Sequence, residues 1–279
     1  QIIYICGLRA SLWLRLLNPL MPGVKLVHGI RWNPDSNSRL DRFFRVVERW
    51  LNGLVDLYIT NSQIAATTLV KRCGVSADKI RVIHNGLAEM PTNILPLVER
   101  PVNVLTVANL KPGKGYIEYL LAIESVLQKM PDVHFTFIGR DDMNGKVQLA
   151  IRDRGLSERV SYVGFQEDVS SWMRVARLFV VPSLKEGCPT TVLEAMSHGV
   201  PVVAFNSDGL PELVRHGQDG LLVPAADMKC LAMAIIKLLR ETELANKMSA
   251  SSLARSKAEF QLNTCVIKHQ DALRLFAKD

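Results

Sequence analysis

Short runs of β-branched and other apolar residues recur along the chain, and most are followed by a stretch in which apolar positions have helical spacing. Ten runs predict strands, at residues 2–5, 24–28, 55–60, 80–84, 102–108, 133–138, 159–163, 178–182, 202–205 and 221–223. The intervening amphipathic stretches predict helices, among them 39–52, 62–73, 116–129 and 228–240. Alternation of this kind is typical of crossover units, so the pattern predicts an α/β fold with mostly parallel sheets.

The predicted elements divide at residues 88–100, which carry Pro91 and Pro96 and no periodic pattern, as expected of an interdomain linker. Four strands precede this stretch and six follow it within residues 101–262. We therefore expect two Rossmann-like, doubly wound domains, the first (residues 1–87) incomplete at its N-terminal side. Residues 263–279 are predicted to form a C-terminal helix, at about 264–277, that crosses back to the first domain.

Near the N-terminus, residues 8–21 are apolar but carry two arginines and end at prolines. The stretch is too short to cross a bilayer, which needs about 20 apolar residues. A helix packed on a sheet is favoured over an interfacial helix anchored by Trp13. Five cysteines without a C-x-x-C pair argue against a zinc site or a disulfide framework and favour a reducing cytoplasm.

The composition is basic, with 34 Lys and Arg against 27 Asp and Glu and a formal net charge of +7. Such a balance favours anionic partners. The basic residues are scattered and do not alternate with aromatic residues, which argues against nucleic acid as the partner. A nucleotide or an acidic lipid surface remains compatible with the charge.

Polar and glycine-rich loops follow the predicted strands of the second domain, where ligands bind in open parallel sheets. In the first of them Gly113 and Gly115 flank Lys114 just before a helix, an arrangement that lets phosphate approach the backbone. Taken alone, it is more simply a plain loop with a solvated lysine. It is not a Walker A loop, and no strand runs into a G-x-G-x-x-G fingerprint.

The segment 182–201 is the richest in candidate chemistry. Pro189 suits the first position of a helix, and the unpaired N–H groups of the two threonines after it would form a phosphate site. Glu186 precedes this helix and Glu194 lies within it. Carboxylates would repel phosphate, so sugar hydroxyls are their expected ligands. The alternative is that Glu186 only complements the helix dipole and Glu194 is a surface residue.

These residues resemble family 4 of the glycosyltransferases, which are retaining enzymes with the two-domain GT-B fold. The resemblance covers about residues 24–270. It rests on Pro182-Ser183, Glu186-Gly187, Glu194-Ala195-Met196, Gly199, Pro201-Val202, Lys114-Gly115, Gly164, Gly209, Pro211-Glu212, Gly217, the run at 220–223, His28-Gly29, Asn61-Ser62 and the run at 83–86. The spacing between the two glutamates is the most specific of these features.

The resemblance implies roles for individual residues. Lys114 would neutralise the donor diphosphate, Glu186 would hold sugar hydroxyls, and His28 would reach the donor sugar from the first domain. Glu194 would bind the ribose. The remaining donor-site residues would be Asn109, Gly115, Gly164, Gln166, Asp168, Gly187, Cys188, Pro189, Thr190 and Thr191. No metal and no cofactor beyond the nucleoside-diphosphate sugar are expected, because cations and N–H groups stabilise the charge.

Two departures from the family pattern stand out. The family has an arginine five residues before the lysine, where this chain has Asn109, and Arg140 or Lys111 are the candidates to replace its charge. The family's N-terminal quarter has no counterpart in this sequence.

The resemblance implies transfer of a sugar from a nucleoside-diphosphate sugar to a hydroxyl acceptor with retention, in polysaccharide or lipid-linked oligosaccharide synthesis. The partners would be a nucleotide sugar and a sugar or lipid-linked acceptor, in the cytoplasm or at the inner face of the membrane. A sugar-nucleotide epimerase or hydrolase of the same fold and a non-catalytic sugar-nucleotide-binding protein remain as alternatives.

Overall fold

The computed structural model describes residues 1–36 and 38–276. It divides into two compact units. Unit 1 consists of Gln1–Gly86, Glu186–Cys188 and Leu262–Asp279, and unit 2 consists of Leu87–Lys185 and Pro189–Gln261. Residue 277, the predicted end of the C-terminal helix, lies outside the described residues.

All ten predicted strands are present. They are β1 (Ile2–Cys6), β2 (Lys25–Ile30), β3 (Leu57–Thr60), β4 (Ile80–Val82), β5 (Asn103–Val107), β6 (His134–Ile138), β7 (Val160–Tyr162), β8 (Leu178–Val181), β9 (Val202–Phe205) and β10 (Gly220–Val223). The helices are α1 (Leu8–Leu17), α2 (Arg39–Leu51), α3 (Gln63–Cys73), α4 (Tyr116–Leu127), α5 (Lys146–Asp153), α6 (Ser170–Val175), α7 (Thr190–Ser197), α8 (Leu210–Leu213), α9 (Met228–Arg240), α10 (Thr242–Glu259) and α11 (Leu262–Arg274).

The sheet of unit 1 is parallel and has the order β1-β2-β3-β4. Each strand pairs with the next along the chain, so right-handed crossovers bring α1, α2 and α3 to one face of the sheet. Ser38 caps α2 and Ser62 caps α3, because each hydroxyl accepts a bond from the N–H three residues on. On the other face of the sheet, Ala272 of α11 packs against Val27, Leu57, Ile59 and Ile83.

The sheet of unit 2 is also parallel, with the order β10-β9-β8-β5-β6-β7. The chain winds outward from β5 in one direction to β7, and then from β8 in the other direction to β10. Neighbouring β5 and β8 therefore mark the point where the winding reverses, and a crevice opens there at the carboxyl ends of the strands. The two parallel sheets confirm the predicted fold class.

Residues 88–100, predicted as a linker, group with unit 2. The reason is Arg100, which is 2% exposed. Its guanidinium donates hydrogen bonds to the carbonyl oxygens of Leu95, Ala176 and His198. Burial lowers its pKa to about 10, so the group stays charged at neutral pH. This side chain ties the proline-containing stretch to the body of unit 2.

The N-terminal apolar stretch forms α1 and a short 3₁₀ turn, Asn18–Leu20. The prediction of a helix next to the sheet is confirmed, because α1 follows β1 directly and contacts it. Across the part of the chain that the structure describes, no helix has the length and apolar character needed to span a membrane.

Candidate functional site

Two loops meet where the winding of unit 2 reverses. One runs from the end of β5 through Lys114 to α4, and the other follows β8 at Pro182. The hydroxyl of Ser183 donates to the carbonyl oxygen of Lys114 at 3.5 Å. This pairing holds the lysine loop at the carboxyl edge of the sheet, where parallel folds bind their ligands.

Gly115 is required at this meeting point. It has φ +75°, and a Cβ placed there would lie 2.0 Å from the carbonyl oxygen of Pro182. Gly139, after β6, has φ +150°, and a Cβ there would lie 2.0 Å from the carbonyl oxygen of Ala108. Both glycines therefore let one backbone approach another, which packs the loops after β5, β6 and β8 tightly together.

Asn109 stands where the related family has an arginine. Its side chain is hydrogen-bonded within the polar rim, the set of loops at the carboxyl ends of the unit 2 strands. Its Oδ1 accepts a hydrogen bond from the backbone N–H of Arg140 at 3.1 Å. The guanidinium of Arg140 pairs with Asp142, with Nε and Oδ1 2.9 Å apart, and is largely exposed. A side-chain hydrogen bond from Arg140 lowers the pKa of Asp142. Arg140 thus already has a carboxylate partner, whereas Lys111 is exposed at the surface of the lysine loop.

Helix α7 begins one residue later than predicted. Pro189 has φ −67° and ψ 120° and is the N-cap residue, and Thr190 and Thr191 are the first helical residues. Proline still suits this place, because its fixed φ is compatible with an extended ψ and it has no N–H to satisfy. The two threonines lie at the helix N-terminus, as predicted for a phosphate site.

Glu194 lies in the second turn of α7 and is half-buried. Its Oε2 has no hydrogen-bond partner among the described residues. Burial raises the pKa of this carboxyl group above its ordinary value, because desolvation disfavours the charged form. A buried carboxylate oxygen without a donor is costly unless a ligand supplies one.

A cleft of about 360 Å³ opens beside Glu194, within unit 2. Its size is within the usual range of small-molecule sites, which starts near ~300 Å³. The lining combines polar groups from the loop before α6 and from α7 with a stretch of the proline-containing segment. These residues are Leu87, Ala88, Glu89, Met90, Pro91, Glu167, Asp168, Val169, Ser170, Glu194, Ser197 and His198.

His198 joins the two polar sides of this cleft. Its Nδ1 lies 2.9 Å from the carbonyl oxygen of Glu194, and its Nε2 lies 2.9 Å from the hydroxyl of Ser170. Since a carbonyl only accepts, Nδ1 carries the hydrogen and Nε2 accepts from Ser170. Burial lowers the pKa of His198, which keeps the ring neutral. Sequence reasoning missed both residues, although His198 stands one helical turn after Glu194.

The three residues predicted after β7 occupy different environments. Gly164 has φ +76°, and its carbonyl accepts from the N–H of Gly139. Asp168 lines the cleft and accepts a bond from the backbone N–H of Ser170 at 2.8 Å. Gln166 is not among the lining residues, and its amide donates to the carbonyl of Val163 at 3.1 Å. The structure therefore brings Asp168, but not Gln166, to the cleft beside Glu194.

Glu186, Gly187 and Cys188 group with unit 1, not with the rim of unit 2. The side-chain amide of Asn85 donates to the carbonyl oxygen of Cys188 at 2.8 Å. A Cβ placed on Gly187 would lie 3.5 Å from Oδ1 of Asn61. Asn61 and Asn85 belong to two segments that the sequence resemblance includes. The loop 186–188, which carries Glu186, therefore lies next to both of these segments.

His28 lies at the carboxyl half of β2 and is fully buried within unit 1. It belongs to a buried polar cluster formed by Ser11, Arg15, His28, Glu48 and Tyr58. Nδ1 of His28 lies 2.8 Å from Nη2 of Arg15 and 3.3 Å from Oε1 of Glu48. Nε2 has no partner among the described residues. The imidazole of His28 is therefore enclosed within unit 1, although the family resemblance implied that it would contact the donor sugar.

Among the residues that the structure describes, no group of three or more His, Cys, Asp or Glu side chains is arranged to hold a metal ion.

Comparison with known proteins assigns the family. The sequence profile described as glycosyl transferases group 1 matches residues 101–241, which is about half of the chain. The chain belongs to the group 1 glycosyl transferases. The profile of glycosyltransferase family 4 matches residues 2–88 of this group 1 chain, so the resemblance seen in the motifs is confirmed.

Curated relatives of this group 1 chain are bacterial glycosyltransferases. The amylovoran biosynthesis glycosyltransferase AmsK of Erwinia amylovora is 31% identical over 207 residues, covering 71% of this chain and 50% of AmsK. An Escherichia coli enzyme named UDP-Gal:alpha-D-GlcNAc-diphosphoundecaprenol alpha-1,3-galactosyltransferase is 25% identical over 273 residues, covering 90% of this chain and 67% of that enzyme. The chain spans about half the length of the first curated relatives it matches.

The crystal structure of Anabaena HepE in complex with UDP and glucose is similar to this group 1 chain, with a TM-score of 0.80 and 22% identity. The match covers all of this chain and 78% of HepE. The similarity establishes the fold, which is that of the GT-B transferases.

Proposed function

We propose that the chain forms the donor-binding part of a retaining glycosyltransferase that moves a sugar from a nucleoside-diphosphate sugar to a hydroxyl acceptor. The observation that carries this proposal is Glu194. Its carboxylate is half-buried beside a cleft and has an oxygen without a donor. The two ribose hydroxyls of a nucleotide supply such donors, and a hydrogen bond to a charged group contributes about 1.5–3 kcal/mol.

The phosphate end of the donor is assigned to the place where β5 and β8 separate. Lys114 provides positive charge there, and the N-terminus of α7 provides unpaired N–H groups. Both stabilise negative charge that builds up on the diphosphate as it leaves. Asn109 contributes no charge, so Lys114 carries a larger share of this task than in relatives with an arginine at that position.

The nucleoside end is assigned to the cleft beside Glu194. Asp168 and Ser170 lie across it, and the His198 bridge holds Ser170 at a fixed distance from α7. In this proposal Glu186 holds hydroxyls of the donor sugar. No metal ion takes part, and the departing charge is met by Lys114 and backbone N–H groups.

The relatives support a place in polysaccharide or lipid-linked oligosaccharide assembly. The name of AmsK refers to amylovoran biosynthesis, and that of the Escherichia coli enzyme to a diphosphoundecaprenol-linked acceptor. We propose a sugar or lipid-linked sugar as the acceptor here, with action in the cytoplasm beside a membrane.

The first test is the thermal stability of the chain with UDP, GDP, ADP and TDP. Ligand at about 100 times its dissociation constant adds about 2.7 kcal/mol of stability. One nucleotide should therefore raise Tm, and Lys114→Ala and Glu194→Ala should remove this response. The matched controls are Lys129→Ala and Glu158→Ala, which remove an exposed lysine and an exposed glutamate elsewhere in unit 2.

A folded chain whose Tm responds to none of the four nucleotides would contradict the donor site. If a nucleotide binds, product analysis with its sugar conjugate separates the remaining readings. If the sugar is released or epimerised without any acceptor, the activity is hydrolysis or epimerisation and not transfer. A glycosylated acceptor would establish transfer.

A further inference from the structure

Helices α1 and α2 lie side by side on one face of the unit 1 sheet and carry large apolar side chains on their outer surface. Trp50 is 80% exposed and Trp13 is 68% exposed. The other exposed apolar residues of these helices and of the 3₁₀ turn after α1 are Leu16, Leu17, Leu20, Leu40, Phe43 and Val46. Single exposed apolar residues are normal, but eight on two adjacent helices and the turn after the first form a patch.

The spacing on α2 makes this surface continuous. Phe43, Val46 and Trp50 follow one another at three and four residues, so they form one stripe along the helix. The buried side of the same helix carries Phe44 and Val47. The helix is therefore apolar on two sides, only one of which contacts the sheet.

Positive charge accompanies this stripe without compensation. Arg39, Arg42 and Arg49 are exposed on the same side of α2, and none forms an ion pair with a described residue. The acidic residues of α2, Asp41 and Glu48, are buried. Residues 1–34 contain no Asp or Glu at all.

We infer that this apolar-basic face, formed by the eight apolar residues and the three arginines, binds the surface of a membrane that contains anionic lipids. Tryptophan and phenylalanine partition into the headgroup region, while arginines pair with lipid phosphates. An amphipathic helix of this kind lies in the plane of the interface, so α2 would rest along the membrane with its buried side still facing the sheet.

The charge of the apolar-basic face favours a membrane over a second copy of the chain as its binding partner. In a two-fold symmetric contact the same surface meets itself. The face would then bring the arginines of two copies together, without exposed carboxylates on α1 or α2 to balance them. An anionic lipid surface complements the same charges.

This inference does not depend on nucleotide binding, although it deepens the proposed function by bringing the transferase to a surface where lipid-linked acceptors are held. The test is binding of the full chain, without nucleotide, to phosphatidylcholine vesicles with and without phosphatidylglycerol. Sedimentation and the blue shift of tryptophan fluorescence both report binding. We expect binding that needs phosphatidylglycerol and weakens with salt.

The triple variant Arg39→Gln, Arg42→Gln, Arg49→Gln should bind about 100-fold more weakly, since each arginine near an anionic surface contributes about fivefold. Trp50→Ser should weaken binding about tenfold. The control triple variant Arg152→Gln, Arg174→Gln, Lys247→Gln removes the same charge from exposed positions of unit 2 and should leave binding unchanged.

If both triple variants lose vesicle binding equally, binding depends only on net charge, and the assignment of the apolar-basic face is overturned. Absence of vesicle binding would overturn it as well. Self-association that the α2 variants abolish, measured by sedimentation velocity, would identify a second copy of the chain as the occupant instead.

Discussion

Glu48 is the centre of the buried polar cluster in unit 1, and replacing it with leucine should destabilise this unit strongly. Its carboxylate lies 2.6 Å from Nη2 of Arg15 and accepts the hydroxyl of Tyr58. Both charged residues are fully buried. Burial raises the pKa of Glu48, but contacts with His28 and Arg15 outweigh it, so the net shift is below the ordinary value.

The size of the effect follows from this burial. Arg15 already has Nε and Nη1 without partners among the described residues, so Glu48→Leu leaves a buried guanidinium without its counter-charge. Breaking one side of a buried pair costs about 3–5 kcal/mol. Replacing both sides with apolar residues of similar volume is neutral or stabilising. Arg15→Met combined with Glu48→Leu should therefore recover part of the loss, because the buried hydroxyl of Tyr58 still lacks its acceptor.

Urea unfolding followed by tryptophan fluorescence measures this, because Trp32 packs against Phe44 at a centroid distance of 5.1 Å. With a slope of about 2 kcal/mol/M, the single variant should lower the midpoint by about 2 M. Asp271→Leu, which removes the acid of an exposed pair with Arg274, should change stability by less than about 1 kcal/mol.

The pH dependence has a defined sign. The pKa of Glu48 is depressed in the folded state, so its contribution is present above its unfolded pKa and is lost as the pH falls through the folded pKa. The Leu variant should lack this acid-dependent loss. A single variant as stable as the wild type, or a double variant as unstable as the single one, would refute the reasoning.

Three further predictions concern unit 2. Glu194→Gln should raise the Tm of the ligand-free chain at pH values above the raised pKa of Glu194, because it removes a buried charge. The same variant should lose the Tm response to nucleotide. A rise in Tm that persists below the ordinary pKa of glutamate would show that the buried charge is not its cause. Gly115→Ala should lower the urea midpoint far more than Gly113→Ala, because both have positive φ but only the first Cβ meets backbone; equal losses would show that φ alone decides. Ser170→Ala and His198→Ala should each weaken nucleotide affinity by up to about tenfold, and the double variant no further, as measured by calorimetry; additive losses would mean that the residues act separately.

The strands were predictable because both sheets are parallel and most of their strands are buried. Each strand then appears as a short apolar run bounded by polar loops, and β9 was predicted to the residue. The polar rim of unit 2 followed from the same pattern, since the carboxyl ends of parallel strands lie at one edge. Lys114 was singled out in this way, whereas Glu194 was singled out by its place in the helix after Pro189 and Asp168 by the family resemblance.

Helix α10 shows where the hydrophobic pattern stops being informative. Its buried residues are Ala245, Met248, Ser252 and Ser256, so small and hydroxyl side chains occupy the positions where apolar ones would signal an inner face. Helix α10 packs against α7, and small side chains allow that close approach. No stripe of large apolar residues exists to be detected.

The buried polar cluster and the grouping of Glu186 were not predictable for a different reason. Arg15, Glu48 and Tyr58 lie on α1, α2 and β3, and their meeting depends on the crossing of helices over a sheet rather than on spacing along the chain. The contact between Asn85 and Cys188 joins residues 103 positions apart. Local patterns contain no information about such pairs, whereas the family resemblance points to their segments.

The close approach of backbones at Gly115 and Gly139 has a consequence for changing which donor is accepted. In a library that randomises every rim position, these two should accept only glycine, since the Cβ of any other residue would lie 2.0 Å from a carbonyl oxygen. The positions left for variation are those whose side chains line the cleft and are exposed, such as Glu167 and Asp168. In the proposed donor site, donor preference would therefore be redesigned at the nucleoside end, while the phosphate end would remain a fixed part of the scaffold.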